Sequence, residues 1–477
     1  MPHSPPTRAV HVTAIRDRVS LREKVGLGLG KVVVEGTHGT LHVLVNPIYN
    51  MTLGLNPALI SSIVFIQRLW DAMLDPIWGS FSDNFRSRWG RRRPLLAAAL
   101  LPVAVLFTAL WFFPRDAGSS GLFWHLLLVS LAFYAVHSIY SMPLGGLVLE
   151  ATDDYHERTR LAAVTFTFGF AFQIASQWLF PLTQLAVFGD GITGLRWVAV
   201  GFGATFLIVG VAPVLLCRER LYVRVASRQP RVSLLKGLRA VRDNRPFLAL
   251  LSVRFVLSFG YNLVGMLSIY MNTFFVFHGE LRAAAWFYGF LGSSFHLTAI
   301  VSSLFLYPRL TRRHGKKRSL QIAIAVLLFG CACKLVVYQP DLPWLQFVVF
   351  ASNGVASAGF ALLATAMLED MTDLDEWMTG LRREALFASL LSWFEKAGNS
   401  LGSLLCGFLL VWIGFRSVPG AQSKETLRLM QLAYFAMPTL GSIIALWLIR
   451  RYDLSEDRAY EIKDSLARRR AAAGSTN

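Results

Sequence analysis

Stretches of roughly 20 apolar residues, the length a helix needs to cross the hydrocarbon of a bilayer, constrain this chain more than any motif in it. About twelve of them recur, near residues 28–50, 57–82, 94–113, 122–148, 160–186, 193–217, 247–275, 283–308, 319–338, 343–368, 384–413 and 427–449. In lipid every backbone N–H and C=O must be satisfied within the chain, so segments of this kind are helices. With 54% hydrophobic and 16% charged residues over 477 positions, the chain carries too little charge for a soluble protein of its size. The pattern predicts an all-α polytopic membrane protein with about twelve transmembrane helices.

The formal charge of +18 would suit a nucleic-acid binder, but the basic residues do not form one patch. They fall in every second connection: Arg86, Arg88, Arg91, Arg92 and Arg93 within 84–94, nine Arg and Lys residues from Arg218 to Arg245 within 218–246, and Arg309, Arg312, Arg313, Lys316, Lys317 and Arg318 within 309–318. The alternate connections are nearly bare. By the positive-inside rule the basic loops and both basic termini face the cytoplasm of a cell (inner) membrane, and nucleic acid is set aside as a partner. Cys331 and Cys333 are too close for an easy bridge, while Cys217 and Cys406 lie in apolar runs, which argues against a disulfide framework. The N-terminal "MPHSPPTRAVHV" lacks a cleavable pattern and reads as a cytoplasmic tail.

Two short segments repeat. Aligning "RSRWGRRRP" (86–94) with "LTRRHGKKRS" (310–319) places Gly90 on Gly315 and basic residues on basic residues. Each follows the second helix of a six-helix half, as in transporters built from two repeats with the solute site at the midplane between them. The expected division is a tail at 1–27, an N-terminal half at 28–217, a basic linker at 218–246, a C-terminal half at 247–449 and a cytoplasmic helix and tail at 450–477. In the last segment Ser455 reads as an N-cap, with Ala459, Ile462 and Leu466 at helical spacing.

Within "RLWDAMLDPIWG" (68–79), Arg68, Asp71 and Asp75 stand three and four residues apart, so on a helix they form one stripe, the carboxylates about one turn apart. A buried charge at the centre of a membrane helix costs on the order of 3 kcal/mol, and like charges add repulsion. The pair therefore calls for a cation, a proton or a basic partner, and carboxylates and hydroxyls are the hard oxygen donors that suit a small monovalent ion. "LLSWFEKAGNSLGSLLCGF" offers Lys396 beside Glu395, three residues before Asn399 and far from either interface, a tethered cation that competes for the carboxylates. Lys31, Glu35, His38 and His42 make one face of the first helix polar, a cavity wall. His38 and His42 have the spacing of a metal pair, but without a third ligand the reading favours cavity lining over zinc. His137, Ser138 and Ser141 before Pro143, Gln173 with Gln177, and Arg254, Tyr261, Asn262 and His296 are further polar positions in apolar surroundings.

The chain resembles the glycoside-pentoside-hexuronide cation symporter family of the major facilitator superfamily, through "RLWDAMLDPIWGSFSDNFRSRWGRRRP" (68–94), "SMPLGGLVLEATDDYHERTRL" (141–161), "MLEDMTDLDEWMTGLRREALF" (367–387) and the Lys396 segment. The resemblance implies two pseudo-symmetric six-helix halves and a cation site at Asp71, Asp75, Ser138 and Lys396. It also implies a sugar clamp of charged and aromatic residues, of which Glu35 remains, while the other positions are Ser141, Gly145 and Phe166. Losing such hydrogen-bonding groups removes the basis of sugar specificity. The aromatic "FTFGFAFQIASQWLF" is similar to a branch of sodium-dependent lysolipid symporters, in which Phe166, Phe170 and Trp178 would line an amphiphile cavity.

The sequence thus predicts a symporter coupled to sodium or a proton, moving a small organic solute, with a lysolipid carrier as the alternative and a transport-dead sensor or a membrane-embedded enzyme further off. No cofactor and no obligate protein partner is expected; the metal in question is a sodium at Asp71 and Asp75. The expected solute-contacting set is Glu35, His38, Arg68, His137, Ser141, Phe166, Gln173, Tyr261 and Trp393. Asp83, Arg88, Gly90, Arg91, Arg92, Glu150 and Arg158, with Gly315, Lys316, Asp375 and Arg382 in the second half, are expected to form gating latches on the cytoplasmic side.

Overall fold

The computed structural model describes residues 18–114, 117–152, 155–217, 219, 244–380, 384–416 and 422–474. The rest of the basic linker and Arg382 lie outside the described residues, as do the side chains of His42, Asp83 and Arg158. Every regular element described is helical. The long helices are α1 (Leu21–Val45), α2 (Pro57–Asn84), α3 (Arg93–Ala109), α4 (Ser119–Glu150), α5 (Tyr155–Ser176), α6 (Gly191–Gly210), α7 (Arg245–Leu263), α8 (Leu281–Val301), α9 (Tyr307–Val337), α10 (Gln346–Thr379), α11 (Glu384–Trp412), α12 (Lys424–Leu448) and α13 (Glu456–Gly474). Among the described residues, seven stretches are long and apolar enough to cross a membrane, and one of them, Leu281–Val337, joins α8 and α9 end to end. The chain is a multi-pass membrane protein.

Local chemistry sets several of these boundaries. Ser20 and Glu23 form a capping box that starts α1 at Leu21, ahead of the apolar run that begins near residue 28. Asn56 caps α2 before Pro57, Asn244 caps α7, and Ser423 caps α12, each accepting a backbone N–H of the first turn. Ser455 Oγ accepts the Arg458 N–H at 3.2 Å, and Ala459, Ile462 and Leu466 are buried, so α13 docks its apolar face on α10. α1 runs into a π-helical turn, Asn46–Thr52, and α7 is followed by a short helix, Leu267–Tyr270, that runs into a second such turn, Met271–Val276.

The packing repeats with a period of six helices. In the first six, α1 packs on α4, α5 and α6, α2 on α4, and α3 on α4 and α6; in the second six, α7 packs on α10, α11 and α12, α8 on α10, and α9 on α10 and α12. Each contact of the first set has its counterpart in the second. Between the sets, α2 packs on α11 and α5 on α8, and a six-helix shift exchanges these two interfaces. This is the major facilitator architecture of two pseudo-symmetric halves.

Two differences from the sequence reading bear on the site. The run at 160–186 is not one helix: α5 stops at Ser176, and a short helix, Leu179–Thr183, follows. The break puts Gln177 and Trp178 against α8, where their side chains meet His296 (3.3 Å) and Ser293 (3.0 Å) across the two halves. The basic loop at 309–318 is built into α9, which is interrupted at Gly315 by a non-helical φ of 76° and ψ of 169°.

Candidate functional site

Asp71 and Asp75 lie one turn apart on α2, and Ser138 of α4 sits between them. The Ser138 hydroxyl is 3.4 Å from Asp71 Oδ1 and 3.2 Å from Asp75 Oδ1. One hydroxyl proton can serve one carboxylate at a time, so three oxygens converge on a point with a single hydrogen among them. Ser138 and Asp71 are buried. Pro76 has no N–H to give the Ala72 carbonyl, which leaves a backbone oxygen without its helical donor in the same turn. A set of hard oxygens with surplus negative charge is chemistry for a small monovalent cation or a proton.

Lys396 of α11 closes the site from the other half, its Nζ 3.2 Å from Asp75 Oδ2. Arg68 does not share that role: it makes no ion pair among the described residues and instead lines the central cavity. Glu395, next to Lys396, pairs with Arg254 of α7 at 2.5 Å, and Asn399 accepts from Asn262 at 2.7 Å. The C-terminal half thus holds its own ion pair beside the cation site.

The central cavity, about 360 Å³, lies between the halves. Of the expected solute-contacting residues, His38, Arg68, Gln173 and Tyr261 line it. Glu35, His137, Ser141, Phe166 and Trp393 do not. Glu35 pairs with Lys31 at 2.8 Å, and His137 is buried behind His38, the ring centroids 4.8 Å apart. Phe166 stacks on Phe170 and both are exposed, as is Trp393. Trp178 is spent on the α8 contact, so the aromatic run of α5 does not build the wall of this cavity.

The groups that sequence reasoning missed come mainly from the C-terminal half: Ser268, Tyr288, Lys334, Asn353 and Tyr434. Amides and hydroxyls of this half thus line most of its side of the cavity. Lys334 stands four residues from the end of the apolar run at 319–338, where a lysine reads as an interfacial side chain reaching for water. It is buried instead, 3% exposed, against Tyr434 of α12.

The latch positions form matching braces inside each half. Arg91 and Arg92 bind Glu150 at the end of α4, and Lys316 binds Asp370 near the end of α10, its Nζ 2.6 Å away. Gly90 and Gly315, just before these bases, both have positive φ. Glu219 accepts the backbone N–H groups of Arg91, Arg92 and Arg93 at 2.9, 2.9 and 3.0 Å, an anion seated on the N-terminus of α3. Arg88 lies over the Trp89 ring, and Asp375 is buried. At the start of α5, burial would raise the Glu157 carboxyl, but Lys24, 2.6 Å away, with the Val19 N–H and Arg160, holds it below the ordinary value.

Residues 26–456 match the model of a family described as MFS/sugar transport protein. An uncharacterized symporter of Synechocystis sp. is 25% identical, over 87% of this chain and 91% of its own length. An isoprimeverose transporter of Lactiplantibacillus pentosus is 23% identical, over 82% and 80%. Among solved structures, a bacterial homolog of the human lysosomal transporter Spinster, inward-facing and unoccupied, shares the fold with a TM-score of 0.65 at 16% identity, covering 91% of this chain and 98% of that one.

Proposed function

Because the chain belongs to the MFS/sugar transport protein family, we propose that it is a sodium-coupled symporter of a sugar or glycoside, working by alternating access through twelve spans with both termini cytoplasmic. One observation carries the coupling: the Asp71–Ser138–Asp75 oxygens of one half meet the Lys396 ammonium of the other. A cation bound among these oxygens competes with Lys396 for Asp75. Its arrival frees the contact between halves and removes the carboxylate repulsion, so that ion binding changes how the halves meet. The empty carrier keeps Lys396 paired with Asp75 and the fully loaded carrier holds ion and solute together, and both reorient; a carrier with the ion alone leaves the Lys396 ammonium released and unpaired, which is costly in the membrane.

The substrate assignment draws on the cavity and on the relatives. Its volume, about 360 Å³, lies at the small end of ligand sites, and Gln173, Asn262, Asn353, Tyr261 and Tyr288 on its wall are partners for hydroxyl groups. The isoprimeverose transporter supports a sugar-type solute. The contacts between halves described above run from the midplane to the end away from the termini: Tyr270 donates to Asn50 at 2.7 Å there. Toward the termini, the helices that face each other leave Ile77, Phe81, Phe166 and Trp393 exposed. This supports a state open on the termini side. The test is uptake of radiolabelled glycosides into proteoliposomes under imposed sodium or proton gradients. Sodium-driven accumulation lost in Asp75→Asn is the expected result; flux that ignores both gradients refutes coupling.

A further inference from the structure

The wall of the central cavity carries two basic side chains, Arg68 from α2 and Lys334 from α9, neither paired with an acid among the described residues, and no carboxylate. The acids near the midplane are engaged elsewhere: Glu35 with Lys31, Asp75 with Ser138 and Lys396, Asp71 with Ser138, and Glu395 with Arg254. Lys334 is the more telling of the two cations. Its ammonium has three donors; one reaches the Tyr434 carbonyl at 3.2 Å, and the nitrogen stands 3.8 Å from the centroid of the Tyr434 ring. Carbonyl and ring face are partial negative charges, and no described acid pairs with the lysine. A buried cation compensated by dipoles alone is costly in a membrane, and such residues mark pathways for ions and substrates.

We infer that the transported solute is an anionic glycoside, a sugar bearing a carboxylate or sulfonate, and that Lys334 is the residue that selects its charge, with Arg68 facing the same cavity from the other half. The proposal rests on the symport reading and narrows its substrate. The anion supplies the countercharge that the cavity wall lacks, while the surrounding amides and tyrosine hydroxyls hold the ring. Because Arg68 and Lys334 belong to different halves, an anion between them draws the halves together, so that occupancy favours closure of the cavity. A neutral sugar offers no such compensation and leaves Lys334 buried without a countercharge, with Arg68 on the same cavity wall.

The test uses three methyl glucosides that differ at C6 alone, bearing a hydroxymethyl, a carboxylate or a sulfonate. Binding is measured on the full-length protein in detergent, and sodium-driven accumulation in proteoliposomes. At least one anionic congener should bind about 100-fold more tightly than the neutral one; the carboxylate and sulfonate arms identify which anion fits. Lys334→Gln should collapse the ratio between anionic and neutral congeners toward one, and Lys334→Arg should restore part of it. If Lys334 serves packing alone, Lys334→Gln lowers ligand-free thermal stability and affects all three congeners alike, which overturns the proposal. Equal or tighter binding of the neutral congener overturns it as well, with sodium-driven uptake of that congener leaving the symport reading intact. A response to lysophospholipid with none to the three glycosides overturns both.

Discussion

Ser138 separates the two ions proposed for the site. A sodium ion needs the hydroxyl oxygen as a ligand, because two carboxylate contacts and one backbone oxygen do not fill its coordination; a proton shared by Asp71 and Asp75 needs no such ligand. Ser138→Ala is therefore expected to weaken apparent sodium affinity about tenfold, a difference near 1.4 kcal/mol, with little change in maximal uptake. The measurement is the sodium dependence of uptake in proteoliposomes. An unchanged sodium dependence, with uptake following the proton gradient, would reassign the coupling ion. At this scale the sequence was legible where the cost of an intramembrane charge could be read without knowing partners: Asp71, Asp75, Ser138 and Lys396 stand together in the structure. It was not legible where tertiary packing decides. Arg68 shares a stripe with the aspartates but faces a different space, and Lys334 sits at a position that hydropathy assigns to the interface, although the fold buries it.

The two glycine turns act as hinges of matched braces between helices. Gly315 has φ 76° and ψ 169°, a region essentially confined to glycine, and a Cβ there would come 2.7 Å from the Glu456 carboxylate of α13. Gly90 has φ 101°, and its Cβ would collide with the Glu219 carboxylate. In each half an acid that follows the sixth helix sits against the glycine after the second, an arrangement that the alignment of the two basic motifs pointed to without showing the acids. Those acids escaped notice because Glu219 and Glu456 differ in spacing and in sequence context. Gly315→Ala is expected to destabilise the chain by about 1–3 kcal/mol and to loosen α13, read as a lower thermal midpoint and faster proteolysis within 456–474. Gly315→Ala with stability and protease resistance unchanged would show that the turn is not strained. α13 has a second tether: burial disfavours the Lys463 ammonium, but Asp370, Asp373 and Glu369 raise it above lysine's ordinary value. Its contribution is thus present at neutral pH and fades only as pH rises through that elevated value.

At the scale of the whole molecule, hydropathy and the repeat made the architecture legible: long apolar runs became helices, and the contacts of α1–α6 recur in α7–α12. The interfaces between halves were not legible, since they depend on which faces of α2, α5, α8 and α11 meet, and on a break after Ser176 where Pro181 withholds the N–H that the Gln177 carbonyl would take, a signal the continuous apolar run concealed. Those interfaces decide the transport cycle. Asn50, in the π-helical turn after α1, and Tyr270, at the end of the short helix after α7, are fully buried and join the halves by a 2.7 Å hydrogen bond at the end away from the termini. Tyr270 also packs edge-on against Phe415, with centroids 4.7 Å apart. If the halves rock, this contact must part once per cycle, at a net cost near 1 kcal/mol for the hydrogen bond alone. A chain carrying Asn50→Cys and Tyr270→Cys, joined by a short bifunctional thiol reagent, should be held open toward the termini. Sodium-driven uptake should then cease, while solute binding from the termini side survives, and a cleavable reagent should let uptake return on reduction. The half-buried Cys333 is replaced by serine to keep labelling at the new pair. Undiminished uptake in fully cross-linked protein would rule out opening at this end, and with it alternating access through a rocking of the two halves.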